Sequence, residues 1–240
     1  ALSQKVAKAS LIENVVDNME DLIGQVDGVL LARDDPENHV EMAKPFIEAG
    51  VPLFIDKPLA DNYQVLEYFK QQAEQGKFIM SCSSMRYACE NGALKPNIDS
   101  LGQIELVTAT GKKDWIKYGV HMLEGLFALL DDPKVVSVQH ISKKSGKDIV
   151  YIEFKTGLIA TVNLFYDITP TFQISVFGRD GWKLIEYSNW YAMFRDNLIE
   201  FIRSIKQGNP RLEFSKTENI IKTLIAAKES IEKQGQTILL

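Results

Sequence analysis

Three short apolar runs separated by two helical patterns constrain this chain more than any other feature it has. The runs are Gly28-Val29-Leu30-Leu31-Ala32, Leu53-Phe54-Ile55 and Phe78-Ile79-Met80. Continuous runs this short suit strands buried on both faces of a parallel sheet. After the first run, Asp35-Pro36-Glu37 reads as an N-cap, a proline at the first helical position and an acid in the first turn. That helix continues through Val40, Ala43, Phe46 and Ile47 to a stop at Gly50, with Pro45 expected to kink it. After the second run, Val65, Leu66, Tyr68 and Phe69 mark another helix, which ends by Gly76. Strand and helix in this alternation predict right-handed parallel βαβ units.

Beyond residue 84 the pattern changes. A helix is expected over 88–98, an apolar run follows at 104–110, and a second helix carries Val120, Leu123, Phe127 and Leu130. Strands then follow in succession over 135–141, 149–154, 158–165, 171–177 and 182–185. Ser145-Gly146, Thr156-Gly157 and Asp180-Gly181 supply the turn chemistry of hairpins. Two long helices close the chain near 191–207 and 215–234. The reading is α/β plus α+β: a parallel unit over 1–84, then a mostly antiparallel sheet over 85–240 with helices on one face. The final helices could pack back on the first unit.

Composition narrows the function classes. With 240 residues, 45% hydrophobic and 25% charged, the chain is neither disordered, collagen-like nor a coiled coil. A net charge of −5 gives no basic field for nucleic acid or an anionic membrane. Apolar runs are too short for a membrane span, and the first residues lack a signal-peptide pattern. The two cysteines, Cys82 and Cys89, are expected to be reduced thiols in a cytoplasmic protein. The three histidines are dispersed, so no metal site is expected.

The segment with most chemical content is Phe54-Ile55-Asp56-Lys57-Pro58. A lysine at the carboxyl end of a buried parallel strand points into the crevice where open α/β sheets bind ligands. Pro58 biases Lys57 towards extended backbone and so fixes where the side chain emerges. A solvated strand-end lysine fits the spacing equally well.

Several motifs in order carry a resemblance. They are Val26-Asp27-Gly28-Val29-Leu30-Leu31-Ala32, then Asn38-His39, then the stretch from Ala49-Gly50-Val51-Pro52 through Asp56-Lys57-Pro58-Leu59. Gly119-Val120-His121 opens a later helix, and Gly208-Asn209-Pro210 precedes the last one. Together they resemble the glucose–fructose oxidoreductase/inositol dehydrogenase (Gfo/Idh/MocA) family, whose signature is Glu-Lys-Pro where this chain has Asp-Lys-Pro. The resemblance implies an incomplete Rossmann-like domain and an α+β substrate domain. It implies a bound NAD or NADP and hydride exchange with a sugar or polyol-like substrate. It also implies homo-oligomers through the antiparallel sheet.

Carried onto this chain, the resemblance makes His121 the proton-transfer group, with Lys57 beside the reacting hydroxyl. Ala32, Asn38, His39, Asp56, Lys57 and Pro58 would line the cofactor. Arg86 and Glu124 would lie on the substrate side, and Glu124 or Asp114 could orient His121. A carbinol losing hydride needs an acceptor for its hydroxyl proton, and an ammonium favours the developing alkoxide. His39 could equally be an ordinary first-turn residue, and His121 a structural one.

Two departures bear on this. Lys117 stands four residues before His121, where the family often has aspartate. It could itself transfer the proton, hold an acidic substrate or simply be solvated. Neither Gly-x-Gly-x-x-Gly nor a phosphate-loop pattern occurs. In the family's order, residues 1–12 would be the helix after the second strand, so the glycine loop is expected to precede residue 1. These departures support a rival reading as a non-catalytic ligand-binding or scaffold relative. A third reading makes Lys57 a Schiff-base nucleophile.

Overall fold

The computed structural model describes residues 2–142 and 144–240. The chain begins with α1 (Leu2–Ala9), followed by β1 (Val29–Leu31), α2 (His39–Glu48), β2 (Leu53–Ile55), α3 (Tyr63–Glu74) and β3 (Ile79–Met80). Of the helix expected over 1–12, Ala1 lies outside the described residues. The three strands form a parallel sheet in the order β1-β2-β3. The parallel alternation read from the sequence is therefore present, with β2 in the middle.

Local chemistry explains these elements, with two corrections. Asn62 caps α3, its side chain accepting the Val65 N–H at 2.9 Å. Asp35 does not cap a helix: its carboxylate accepts from Arg33 at 2.8 and 2.6 Å and from Asn38 at 2.6 Å. A 3₁₀ turn over Pro36–Asn38 precedes α2, and α2 runs on through Pro45. The second correction concerns β1, which is not buried on both faces. Leu30 is half exposed, whereas Phe54 and Met80 beside it in register are buried. Those two pack in one cluster with Phe201 of a later helix.

The second part comprises α4 (Cys89–Leu94), β4 (Ile104–Lys112), α5 (Trp115–Leu129), β5 (Val135–His140), β6 (Lys147–Phe154), β7 (Ile159–Phe165), β8 (Phe172–Gly178) and β9 (Trp182–Glu186). It closes with α6 (Trp190–Gln207), α7 (Phe214–Glu232) and β10 (Ile238–Leu239). The helix expected over 88–98 ends early, because Pro96 offers no N–H to continue it; Lys95–Leu101 is 3₁₀ instead. The large sheet has the order β10-β5-β6-β7-β4-β8-β9. All its pairs are antiparallel except β4 with β7. The short strand β10, paired to β5, was not legible in the pattern.

Alternation along these strands buries one face. Ala109, Val162, Val150 and Ile174 sit side by side in register and are fully buried. Helix α5 lies on that face and α7 packs against it. The Trp115 indole N–H donates to the Leu224 carbonyl at 3.0 Å and ties the two helices together. Gly119 allows their close approach, since a Cβ there would meet Leu224 at 3.0 Å and the Trp115 ring at 2.9 Å.

The two final helices return to the small sheet. Phe201 packs edge-on to Phe54 and Phe78, with centroids 5.6 and 6.4 Å apart. Thr217 donates to the Ser81 carbonyl at 2.8 Å. Lys228 and Glu218 reach Asp61 and Lys70, each at 3.3 Å.

Candidate active site

The carboxyl ends of the three parallel strands present Ala32, Lys57 and Ser83 along one edge of the small sheet. This is where open α/β sheets hold ligands. Lys57 follows β2, with its side chain 19% exposed and Nζ 3.8 Å from Asp56. Pro58 is buried behind it, joined by a cis peptide bond.

Helix α5 brings His121 to this edge, and its start is firmly held. The Trp115 N–H donates to Asp148 at 2.9 Å, and Asp114 accepts the Lys117 N–H at 3.0 Å. Asp148 in turn pairs with His140 at 2.9 Å. Two turns on, His121 Nδ1 lies 2.6 Å from Ser83 Oγ. Burial pushes the His121 ring down in pKa, and the Lys57 and Lys113 ammoniums push the same way, to about 3. The ring is therefore neutral at physiological pH, with Nε2 left over from the serine contact.

Several expectations from the sequence are corrected here. Glu124 shares the helix face of His121 but does not orient it. Its carboxylate accepts the Ser83 N–H at 3.2 Å and the Arg86 Nε–H at 2.5 Å. Arg86 completes its contacts with Asp132 at 2.8 and 3.2 Å. Burial works against the Arg86 charge, yet Glu124 and Asp132 outweigh it and hold its pKa up. Both side chains are nearly inaccessible, and their bonds to each other, to Ser83 and to Asp132 brace the loop under the site.

Lys117 also turns away from His121. Its side chain is 61% exposed and pairs with Asp34 at 3.6 Å, beyond the end of β1. Asp114 is committed as the α5 cap. His39 is fully buried, its nitrogens 3.0 Å from the Leu59 carbonyl and 2.8 Å from the Arg33 carbonyl. It clamps the loop after β1 to the loop bearing Lys57 and has no free edge for a cofactor. Asn38 spends its amide on Asp35, while Ala32 and Asp56 remain at the rim.

Other residues at the site were not singled out from the sequence. Ser83 caps the 3₁₀ turn Ser84–Tyr87 with its hydroxyl while meeting His121. Its only signal was the small-residue run Ser81-Cys82-Ser83-Ser84 at a strand end. Lys113 reaches the hydroxyl and ring face of Tyr118. The Tyr118 ring lies 5.3 Å from His121 and stacks on Phe172, which meets Trp190 edge-on.

Residues 1–83 match the sequence model of the Gfo/Idh/MocA oxidoreductase family, NAD-binding Rossmann fold. That match spans about the first third of the chain. No curated protein sequence matches the chain. Among solved structures, a probable dehydrogenase from Thermotoga maritima superposes with a TM-score of 0.85 at 15% identity, covering 98% of this chain and 88% of that one. Myo-inositol dehydrogenase from Lactobacillus casei, in complex with NAD(H) and myo-inositol, gives 0.83 at 16%, covering 99% and 85%. An Agrobacterium radiobacter oxidoreductase, in complex with NAD+, L-tartaric acid and magnesium, gives 0.82 at 13%, covering 98% and 87%. The fold, a small parallel sheet followed by the larger mixed sheet, is thus shared with these structures along nearly the whole chain.

Proposed function

We propose that this protein is an NAD(P)-dependent oxidoreductase. It moves a hydride between the nicotinamide and the CH–OH group of a sugar, polyol or related hydroxy compound. The observation that carries this reading is the half-buried, neutral His121 bonded to Ser83 beside Lys57, at the carboxyl edge of a sheet that matches a family model of NAD-binding Rossmann fold. A protein of the same fold, crystallised with NAD(H) and myo-inositol, supports it.

Asp56, Lys57 and the loop after Ala32 suit the nicotinamide end of the cofactor: they are accessible and lie together at the strand ends. When bound, the nicotinamide supplies or receives the hydride. The chain's own residues manage the proton and the charge. In the tautomer whose Nδ1–H donates to Ser83 Oγ, the His121 Nε2 lone pair is free. During oxidation the substrate carbon gives up its hydride, and the hydroxyl proton passes to Nε2. Reduction runs the transfers in reverse, with the imidazolium returning the proton to the alkoxide. The Lys57 ammonium stabilises that oxygen while it carries negative charge. Its Asp56 partner limits the motion of the ammonium.

In this reading residues 1–84 form the cofactor unit and 85–240 the substrate unit. Homo-oligomers form through the outer face of the large sheet, where Leu106, Phe177, Trp182 and Leu184 are exposed and Phe177 stacks on Trp182 at 6.4 Å. A cytoplasmic location suits the two free thiols, Cys82 and Cys89.

The test is a screen of sugars, polyols and hydroxy acids with NAD and NADP, followed by kinetics of Lys57→Ala. Turnover by the wild type and a fall in kcat of about 100-fold or more in the variant are expected. No turnover with either cofactor, or wild-type rates in Lys57→Ala, would contradict the proposal.

A further inference from the structure

The charge balance around His121 points to the class of molecule it acts on, an inference that rests on the oxidoreductase reading above. Lys113 occupies the turn between β4 and α5 with φ of 83°, a conformation rarely adopted by residues other than glycine. Its N–H donates to the Phe165 carbonyl at 3.1 Å, and Asp114 immediately afterwards caps α5. The turn thereby folds the Lys113 side chain back over the first turn of α5. Nζ sits 4.1 Å from the centre of the Tyr118 ring and donates to the Tyr118 hydroxyl. The other face of the arrangement is His121, 5.3 Å from the same ring. One aromatic ring therefore separates a fixed cation from the proton-transfer group.

Asp114, next in the chain, is the one carboxylate whose charge acts on Lys113, and it caps α5; the other carboxylates around the site have their own partners. Asp56 pairs with Lys57, Asp34 with Lys117 and Glu124 with Arg86, while Asp114 accepts the Lys117 N–H. Among the described residues, Lys113 takes part in no ion pair; its Nζ meets the Tyr118 phenol, and the residue is exposed. Phe172 and the half-exposed Trp190 continue an aromatic wall from Tyr118. Two ammoniums and an aromatic wall suit a ligand rich in acceptors, and a charged acceptor most of all. A neutral polyol, whose hydroxyls also donate, finds fewer partners.

We infer that Lys113 is a specificity residue and that the substrate is an anionic hydroxy compound, a sugar acid or a sugar phosphate. Its carboxylate or phosphate pairs with Lys113, its carbon skeleton lies along Tyr118, and its reacting hydroxyl lies between Lys57 and His121. The anion has a second effect. The groups facing His121 are Lys57 with its Asp56 partner from the end of β2, Lys113 from the β4–α5 turn, Ser83 from the end of β3 and Tyr118 on its own helix. An anion on Lys113 offsets one of the two charges that oppose the imidazolium, so substrate binding strengthens His121 as a base.

The experiment compares the purified wild type with Lys113→Met and Lys113→Arg. Glucitol, gluconate and glucose 6-phosphate are assayed for turnover with NAD and NADP, and titrated for binding by tryptophan fluorescence. One anion should be preferred over glucitol in kcat/KM and in affinity. That preference should fall about tenfold or more in Lys113→Met and return largely in Lys113→Arg. The gluconate and phosphate arms distinguish the two anions. Equal or better use of glucitol, or a Lys113→Met defect that is the same for all three ligands, would overturn the inference. Lys113-dependent anion binding without turnover would support the anion site while contradicting the oxidoreductase reading, so the two failures are distinguishable.

Discussion

At the scale of single residues, the site is defined by what each polar group is already bonded to. His121 faces the open edge because Ser83 holds one nitrogen and neighbouring groups have other partners. Its protonation gives a test of stability. The folded-state pKa lies near 3 against an ordinary 6.5, so the unfolded chain binds the extra proton between these values. Stability associated with the neutral ring is fully present above pH 6.5 and is lost as pH falls towards 3, by up to about 1.4 kcal/mol per pH unit. Urea unfolding of wild type and His121→Asn should diverge with that slope across the window; a constant difference would contradict it. Lys57 and His121 were legible because strand-end and motif positions mark them. Ser83 and Lys113 were not, since a serine after a strand and a lysine before a cap are common, and only the fold brings them to the ring. Lys117 misled for a related reason: helical spacing gives the face, but Asp34 decides where its ammonium goes.

Among the elements, the loop between β3 and α4 does the positioning. Ser83 meets α5 twice, through its hydroxyl to His121 and its N–H to Glu124, which lie three residues apart on one helix face. Arg86 ties that loop to Glu124 and to Asp132 beyond the end of α5. Removing one member of a buried ionic cluster leaves the others uncompensated. Arg86→Met should therefore lower unfolding free energy by about 3–5 kcal/mol in urea titration. A loss below about 1 kcal/mol, typical of an exposed pair, would refute the bracing role. The strands were largely readable, because alternation such as Val150, Ile152 and Phe154 survives in the sequence. Their order was not: hairpin turns identify β5-β6-β7 and β8-β9, but nothing local tells β4 to lie between β7 and β8, parallel to one and antiparallel to the other. Pro96 and the two-residue β10 show the other limit, where one missing N–H or one short pairing changes an element without altering the hydrophobic period.

Across the whole molecule, helices from the end of the chain hold its beginning. Phe201 packs on Phe54 in β2, the strand that carries Lys57, and α7 packs on α5, the helix that carries His121. The two groups assigned to one chemical step thus come from a strand end of the small sheet and from a helix on the large one, and the last two helices pack on both carriers. The βαβ pattern and a mostly antiparallel second sheet were both foreseeable, whereas this closure depends on contacts between residues more than a hundred positions apart. The most direct test of the central claim is the single-turnover rate of hydride transfer, followed by nicotinamide absorbance at saturating cofactor and substrate. Wild type and His121→Ala are compared at neutral pH, with cofactor affinity measured separately. A rate lower by about 10²–10⁴-fold in His121→Ala, with cofactor affinity retained, is the expected result. Equal rates in the two proteins would contradict the assignment of His121 as the proton-transfer group.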